Sequence, residues 1–493
     1  MRGLLPTQAM YKKTLCLALS LALSACAVGP RYTAAPAIDT PAAFKEGQGE
    51  WVRAAPADAL ERGAWWQLFN DPVLNDLAAK VEVSNQTVAA SVAAYRQARA
   101  LVAQQRASLF PTVSLDASGN RSGSRGGSPT TTTSGAIVTG SGSARTSYQF
   151  DIGASWEPDV WGRLSRTVEG ARASEQASLA DLAAARLAAQ GELAANYCNL
   201  RGLDVQRALQ AQTLAGYERT LQITNNRYQA GIAARTDVLQ AQTQLASTRA
   251  DLLTLDRQRA QLEHAIAVLV GQAPANFSIA PDPQWRAVVP DVPVAVPSTL
   301  LQRRPDIAGA ERRVAQANEQ IGIAMTGWFP SLRLTGSVGA GAASISDLFS
   351  SSALVWALGA SLAQTIFDAG ATAAQVEGAR AGLDAAAARY RQAVLAAFQD
   401  VEDQLTGVRV LQQQVALREE ASRDADLVEQ QVLNRYQAGQ VSFTDVITAQ
   451  VTAQTARRAL VQLQSDRQAA AVALIQSLGG GWQGLQAEAA AKP

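Results

Sequence analysis

Histidine occurs once in this chain of 493 residues and cysteine three times, so the side chains that metal sites and thiol chemistry draw on are nearly absent. No metal, cofactor or catalytic residue is expected. Aromatic residues are scarce too, at 6% of the chain against 47% hydrophobic overall, which leaves little to fill a large globular core. An excess of charge of either sign is missing: 43 basic and 42 acidic residues give a net charge of +1, and no basic block argues for nucleic acid as a partner. Proline is missing from two long stretches, between Pro158 and Pro274 and between Pro330 and Pro493, so helices can run far in both.

What is present is one long unit, twice. Val168-Glu169-Gly170-Ala171-Arg172-Ala173 returns unchanged 208 positions later as Val376 to Ala381. The same offset carries Arg227-Tyr228-Gln229-Ala230-Gly231 onto Arg435-Tyr436-Gln437-Ala438-Gly439, and Thr236-Asp237-Val238 onto Thr444-Asp445-Val446. A period this long is a tandem duplication of a whole unit and not a solenoid repeat.

The N-terminus reads as an export signal. Lys12 and Lys13 precede an apolar run from Leu15 to Leu23, too short for a membrane-spanning helix, that ends in Leu23-Ser24-Ala25-Cys26. This tetrad resembles the bacterial lipoprotein box, which implies that Cys26 is the lipid-modified first residue of the mature chain. Ala27 in place of aspartate after it implies sorting to the outer membrane. Cys198 is then the other mature cysteine, expected as a small buried apolar residue in a helix.

Helical patterning is continuous from about Arg163 to Asn226, roughly 95 Å at the α-helical rise. A compact domain of this chain length would be only about 60 Å across, so an elongated protein is expected. Shorter helices are expected over about Val73–Leu109 and Thr236–Val270. Between them the texture changes to strand alternation: Tyr148, Phe150, Ile152, Ala154 and Trp156 interleave with polar residues, and Thr112 to Arg121 does the same. The second half repeats the plan at Ser331–Ala342 and Ala353–Phe367, with Leu354, Trp356, Leu358 and Leu362 on one face. These strands have the length that crosses a bilayer. Four of them cannot close a membrane barrel, whose smallest members have about eight, so several chains must share one barrel. The link from Ser122 to Arg145, rich in glycine, serine and threonine, is expected as an exposed loop.

With these features on the page the chain resembles the TolC-type outer-membrane efflux channels, in the OprM/NodT-like lipoprotein branch. The residues that carry the resemblance are Cys26-Ala27-Val28-Gly29-Pro30, Trp65-Trp66 with Phe69 and Asp71-Pro72, Arg303-Arg304-Pro305-Asp306-Ile307, Phe329-Pro330 and the paired Arg-Tyr-Gln-Ala-Gly turns. The resemblance implies an α+β membrane protein whose duplicated protomer supplies four transmembrane β-strands and long antiparallel α-helices, three copies forming a twelve-stranded β-barrel continued by an α-helical barrel. The expected division is residues 1–25 signal peptide, 26–72 lipidated segment and equatorial region, 73–271 first repeat, 272–306 linker in the equatorial belt, 307–480 second repeat and 481–493 tail.

The function implied is a passive exit duct of a tripartite efflux pump, conducting drugs or other small toxic compounds from periplasm to exterior. Its partners would be a periplasmic adaptor and an inner-membrane pump of the resistance-nodulation-division type, with the homotrimer set in outer-membrane lipid. Glycines 231 and 439 would end the long helices in the left-handed conformation, and Thr236-Asp237 and Thr444-Asp445 would open the returning ones. By resemblance Thr236, Asp237, Tyr436 and Asp445 form a periplasmic gate, while Arg227, Tyr228, Gly231, Arg435 and Gly439 mark the turns where the adaptor docks. The pattern is incomplete: Val441 stands where the family archetype has a gate arginine and Thr448 where it has a second acidic ring, with Arg235 a candidate substitute. Two other classes share some features. A periplasmic adaptor would have one helical hairpin and not two, and a coiled-coil envelope lipoprotein would need no strands.

Overall fold

The computed structural model describes residues 28–34, 37–41, 43–47, 64–123, 130–131, 137–138, 144–290 and 303–482. Seven α-helices are named in chain order: α1 (Pro72–Ser84), α2 (Gln86–Ala107), α3 (Arg163–Gln229), α4 (Arg235–Leu269), α5 (Pro305–Met325), α6 (Ala371–Gln437) and α7 (Phe443–Ser477). Six strands are β1 (Thr112–Gly123), β2 (Thr130–Thr131), β3 (Ile137–Val138), β4 (Ala144–Trp156), β5 (Ser331–Ala342) and β6 (Leu354–Ala363). The two longest helices, α3 and α6, have 67 residues each, about 100 Å at the helical rise. Both fall in the proline-free stretches, and alanine, glutamine, leucine and arginine carry little helix penalty. Contacts divide the chain into two units, each drawn from both repeats: one comprises residues 1–35, 97–175 and 312–387, the other 36–96, 176–311 and 388–493.

The first unit contains a four-stranded sheet of order β1-β4-β5-β6, antiparallel throughout. Its register aligns the apolar positions of all four strands on one face. Leu115 faces Ile152, Ile152 faces Val338, and Val338 faces Trp356 in one row across the sheet. The next row in each direction is offset by two residues, as the pleat requires, so Val113, Ala154, Gly336 and Leu358 form another. The opposite face is mostly polar, with Ser114, Asp116, Asp151, Thr335 and Ser337. Strands of 12, 13, 12 and 10 residues match the expected positions closely. The expected loop from 122 to 145 is shorter, since β1 runs on to Gly123 and β4 starts at Ala144, with the β2–β3 ladder between. The last strand ends at Ala363 and not Phe367, leaving Ile366 and Phe367 strongly exposed.

At one end of the sheet aromatic side chains fix the chain entry. Trp161 Nε1 donates to the Pro330 carbonyl at 2.7 Å and its ring lies 4.8 Å from that of Phe329, so Phe329-Pro330 is held as it turns into β5. Residues 28–30 are clamped nearby. Val28 N–H donates to the Trp161 carbonyl, and Arg166, ion-paired to Glu319 at 2.7 Å, donates to the Gly29 and Pro30 carbonyls. Gly29 has φ +103°, and a Cβ there would run into the backbone of Gly322. Cys26 itself lies outside the described residues.

The second unit holds the main apolar core, in which Trp65, Leu74, Val81, Leu193, Tyr197 and Ile475 are fully buried. Helix α1 starts at Asp71, whose carboxylate accepts from Val73 N–H at 2.9 Å and Leu74 N–H at 3.1 Å and also from the Tyr197 hydroxyl at 2.7 Å. The single helix expected over 73–109 is two helices. Asn85 adopts an extended conformation, accepts from Thr87 and Val88 N–H as the cap of α2, and donates to the Leu269 carbonyl at 2.8 Å. A buried amide satisfied on both sides wins over helix continuation. Around Asp204 a buried ionic hub ties down the linker after α4. Its carboxylate takes Arg259 at 2.7 Å, Arg201 at 3.0 Å and the Asp282 N–H at 3.1 Å. The same arginines donate to the Ile279 and Ala280 carbonyls, and Glu263 accepts from Ile279 N–H.

Candidate functional site

Both hairpin tips follow one local design. At the end of α3, Gly231 has φ +75°, and its N–H and that of Ile232 return to the carbonyls of Tyr228 and Arg227. At the end of α6, Gly439 has φ +74°, with N–H groups of Gly439 and Gln440 returning to Tyr436 and Arg435. These closures satisfy the last helical carbonyls, and the left-handed residue is glycine because a Cβ is disfavoured there.

The starts of the returning helices differ. Ser442 caps α7 in a reciprocal capping box: Asp445 N–H donates to Ser442 Oγ, and the Asp445 carboxylate accepts from Ser442 N–H at 3.0 Å and from its hydroxyl at 2.7 Å. Those hydrogen bonds and the charge of Arg435 hold the exposed Asp445 carboxyl below the ordinary range. At the matching place before α4 stands Ala234, with no side-chain cap, and Asp237 makes no side-chain hydrogen bond among the described residues. Thr236 is exposed.

Tyr436 is placed at the centre of the tip. It is 4% exposed, its ring lies 5.5 Å from Phe443, and both belong to an apolar cluster with Ala241 and Val446 against which Leu221, Val432 and Val441 pack. Val441, expected by resemblance at a gate-arginine position, thus makes apolar packing contacts. A cross-hairpin link is made by Arg227. Its guanidinium lies 4.8 Å from the Tyr436 ring centroid and donates to the Tyr436 carbonyl at 3.0 Å and the Gln437 carbonyl at 3.2 Å. A cation on the last carbonyls of α6 is favourable both for the hydrogen bonds and for the helix dipole. Arg235, the candidate substitute, is exposed. Tyr436 Oη, Thr224 Oγ1 and Arg227 Nε are buried with no hydrogen-bond partner among the described residues, and Tyr436 and Asp237 form no hydrogen bond with each other.

Above the tip the seam between α3 and α7 is polar. Gln454 donates to Gln210 at 2.8 Å, Gln206 donates to Gln462 at 3.0 Å, and Gln450 reaches Thr220 at 3.4 Å. Patterning by residue class does not announce this seam; the buried glutamines look like surface residues of an ordinary helix. Among the described residues no group of three His, Cys, Asp or Glu side chains is gathered as a metal site needs. Burial pushes the Cys198 thiol up to about 12, an unreactive value.

A sheet apolar on one face at membrane-spanning length, joined to paired hairpins of very long helices, defines a TolC-type outer-membrane channel. Comparison with known proteins agrees. The outer membrane efflux protein family matches residues 77–272 and 296–480. The chain is 31% identical over 453 residues to the pyoverdine export outer membrane protein OpmQ of Pseudomonas aeruginosa, covering 90% of this chain and 94% of that one. It is 30% identical over 471 residues to the outer membrane protein OprJ of the same species, covering 94% and 95%. Among solved structures, the outer-membrane channel OprN superposes with a TM-score of 0.78 at 30% identity over 93% of this chain and 100% of that one. The open state of the Neisseria gonorrhoeae MtrE outer membrane channel gives 0.79 at 29% identity over 94% and 100%. The chain belongs to the outer membrane efflux protein family, and is an exit duct in the bacterial outer membrane that extends into the periplasm.

Proposed function

We propose that three copies of this chain form a passive duct that receives small toxic compounds from an inner-membrane pump through a periplasmic adaptor, with the helix tips as its gate. The observation that carries this reading is the sheet: four antiparallel strands, one continuous apolar face, and the edges of β1 and β6 unpaired among the described residues. In hydrocarbon those edges must be paired. Because strand direction alternates across the sheet, β6 of one copy runs antiparallel to β1 of the next, and three copies close twelve strands without a new type of pairing.

Conduction of this kind needs no nucleophile, cofactor or metal, so the chain acts as a channel and not as an enzyme. The near-balance of 43 basic and 42 acidic residues argues against nucleic acid as a partner. Acylation at Cys26 is supported by the tetrad Leu23-Ser24-Ala25-Cys26, which resembles the bacterial lipoprotein box. Thr236, Asp237, Tyr436 and Asp445 act at the gate, and the turns at Arg227, Tyr228, Gly231, Arg435 and Gly439 meet the adaptor. Resemblance to the lipoprotein branch favours a pump of the resistance-nodulation-division type.

Photo-crosslinking in living cells from position 437, an exposed glutamine on the second tip, tests the partnership. Capture of a periplasmic adaptor, identified by mass spectrometry, is expected. Capture of peptidoglycan or an envelope lipoprotein alone would contradict it.

A further inference from the structure

The two hairpins, α3–α4 and α6–α7, carry equivalent tips 208 residues apart, yet their surroundings differ. On the first hairpin the groove beside the tip is filled by this chain's own α7: Gln450 donates to Thr220 Oγ1, the Tyr217 hydroxyl donates to Gln454 at 3.3 Å, and Tyr217, Thr220, Thr224 and Ala241 are buried. The corresponding groove on the second hairpin is open, a cavity of about 330 Å³ whose lining includes Ala425, Val428, Val432 and Ala449. Those four are the repeat counterparts of the four buried residues. Thr220 is 5% exposed whereas Val428 is 51% exposed, so the apolar member of the pair is the one left in water.

The arginine link behaves the same way. Arg227 closes on Tyr436 inside the protomer, while their counterparts Arg435 and Tyr228 are both exposed, and among the described residues neither makes a side-chain hydrogen bond or ion pair. The step that carries the first hairpin to the second carries the second to a third, which this chain does not have. In a ring of copies the third hairpin is the first hairpin of the next copy.

We propose that the open groove on the second hairpin seats α4 of a second copy, and that Arg435 there closes on the Tyr228 ring and on the helix-ending carbonyls of Tyr228 and Gln229. The proposal rests on the ring of three copies put forward above and names the residues of its joint. Charge agrees with it. Leu221 and Phe443 belong to the apolar joint within the protomer, and the same step carries them to Glu429 and to Arg235 of the second copy, which are opposite in charge. Glu429 is held in place by Arg457 at 2.7 Å.

The test pairs Tyr228→Cys with Arg435→Cys in the full-length protein, treated with a short bis-maleimide in native outer membranes; Cys198 is buried and does not compete. Covalent dimers and trimers are expected from the pair and not from either single variant. Monomers alone, from protein that migrates as a trimer in mild detergent, would overturn the clasp and leave the ring intact. Absence of any trimer in mild detergent would overturn the ring itself, and the clasp with it. A second readout guards against an unfavourable cysteine geometry. Arg435→Ala and Tyr228→Ala should each lower the temperature at which trimers dissociate, with the double variant no worse than the poorer single one. Additive shifts would overturn the clasp.

Discussion

Asp204 shows how much of this protein depends on single buried charges. Its side chain is 0% exposed and holds Arg201 and Arg259, which in turn fix the carbonyls of residues 279 and 280. Removing one member of such a set leaves the others charged and unpaired in a poor solvent for charge, at about 3–5 kcal/mol. Asp204→Ala is therefore expected to lower the unfolding temperature in detergent markedly, whereas an unchanged unfolding profile would mean that the hub is bypassed by water. The hub is invisible in the sequence. Arg201 and Asp204 are spaced like an ordinary surface pair on a helix, and Arg259 and Asp282 stand 55 and 78 positions from Asp204. The same limit applies at the tip: the duplication marked Arg227 and Tyr436 individually, but only the fold brings them together, 209 positions apart. Cys198, by contrast, is legible, since a lone cysteine on an apolar helix face has few other places to go.

The strands are the elements best written in the sequence, because a period of two leaves a signature that no helix shares. Ser331–Ala342 falls where alternation places it, and the register then follows from keeping apolar residues together. This gives a one-residue test of orientation. Leu358→Arg, on the apolar face, should reduce assembled trimer by destabilising membrane insertion by about 2–4 kcal/mol, while Ala357→Arg on the opposite face should be tolerated; heat-modifiable migration of outer-membrane extracts on gels reads both. Equal loss from the two variants would show that the faces are not distinguished by lipid. Helix ends are less legible. The break at Asn85 depends on the Leu269 carbonyl, 184 residues away, and Ser442 caps its helix where the repeat has an uncapped Ala234.

At the scale of the molecule the proposed ring rests on two edges: the outer edges of β1 and β6, unpaired among the described residues, and the open groove on the second hairpin, each of which another copy would close. The duplication supplies the pseudo-symmetry that makes such closure repeatable, because each copy contributes two equivalent hairpins to one ring. Substrate identity is not part of this logic. A passive duct needs a sealed wall and a gate, and the polar seam of glutamines between α3 and α7 offers hydrogen bonds that can be exchanged as the helices move. The central claim is that assembled trimers form a continuous conduit closed at the tips and held there by Arg227. Single-channel recording of purified full-length trimers in planar bilayers tests it most directly. Small discrete conductance steps are expected from the unaltered protein and steps several-fold larger from Arg227→Ala. Correctly assembled, inserted trimers that pass no current with or without that arginine would contradict the account.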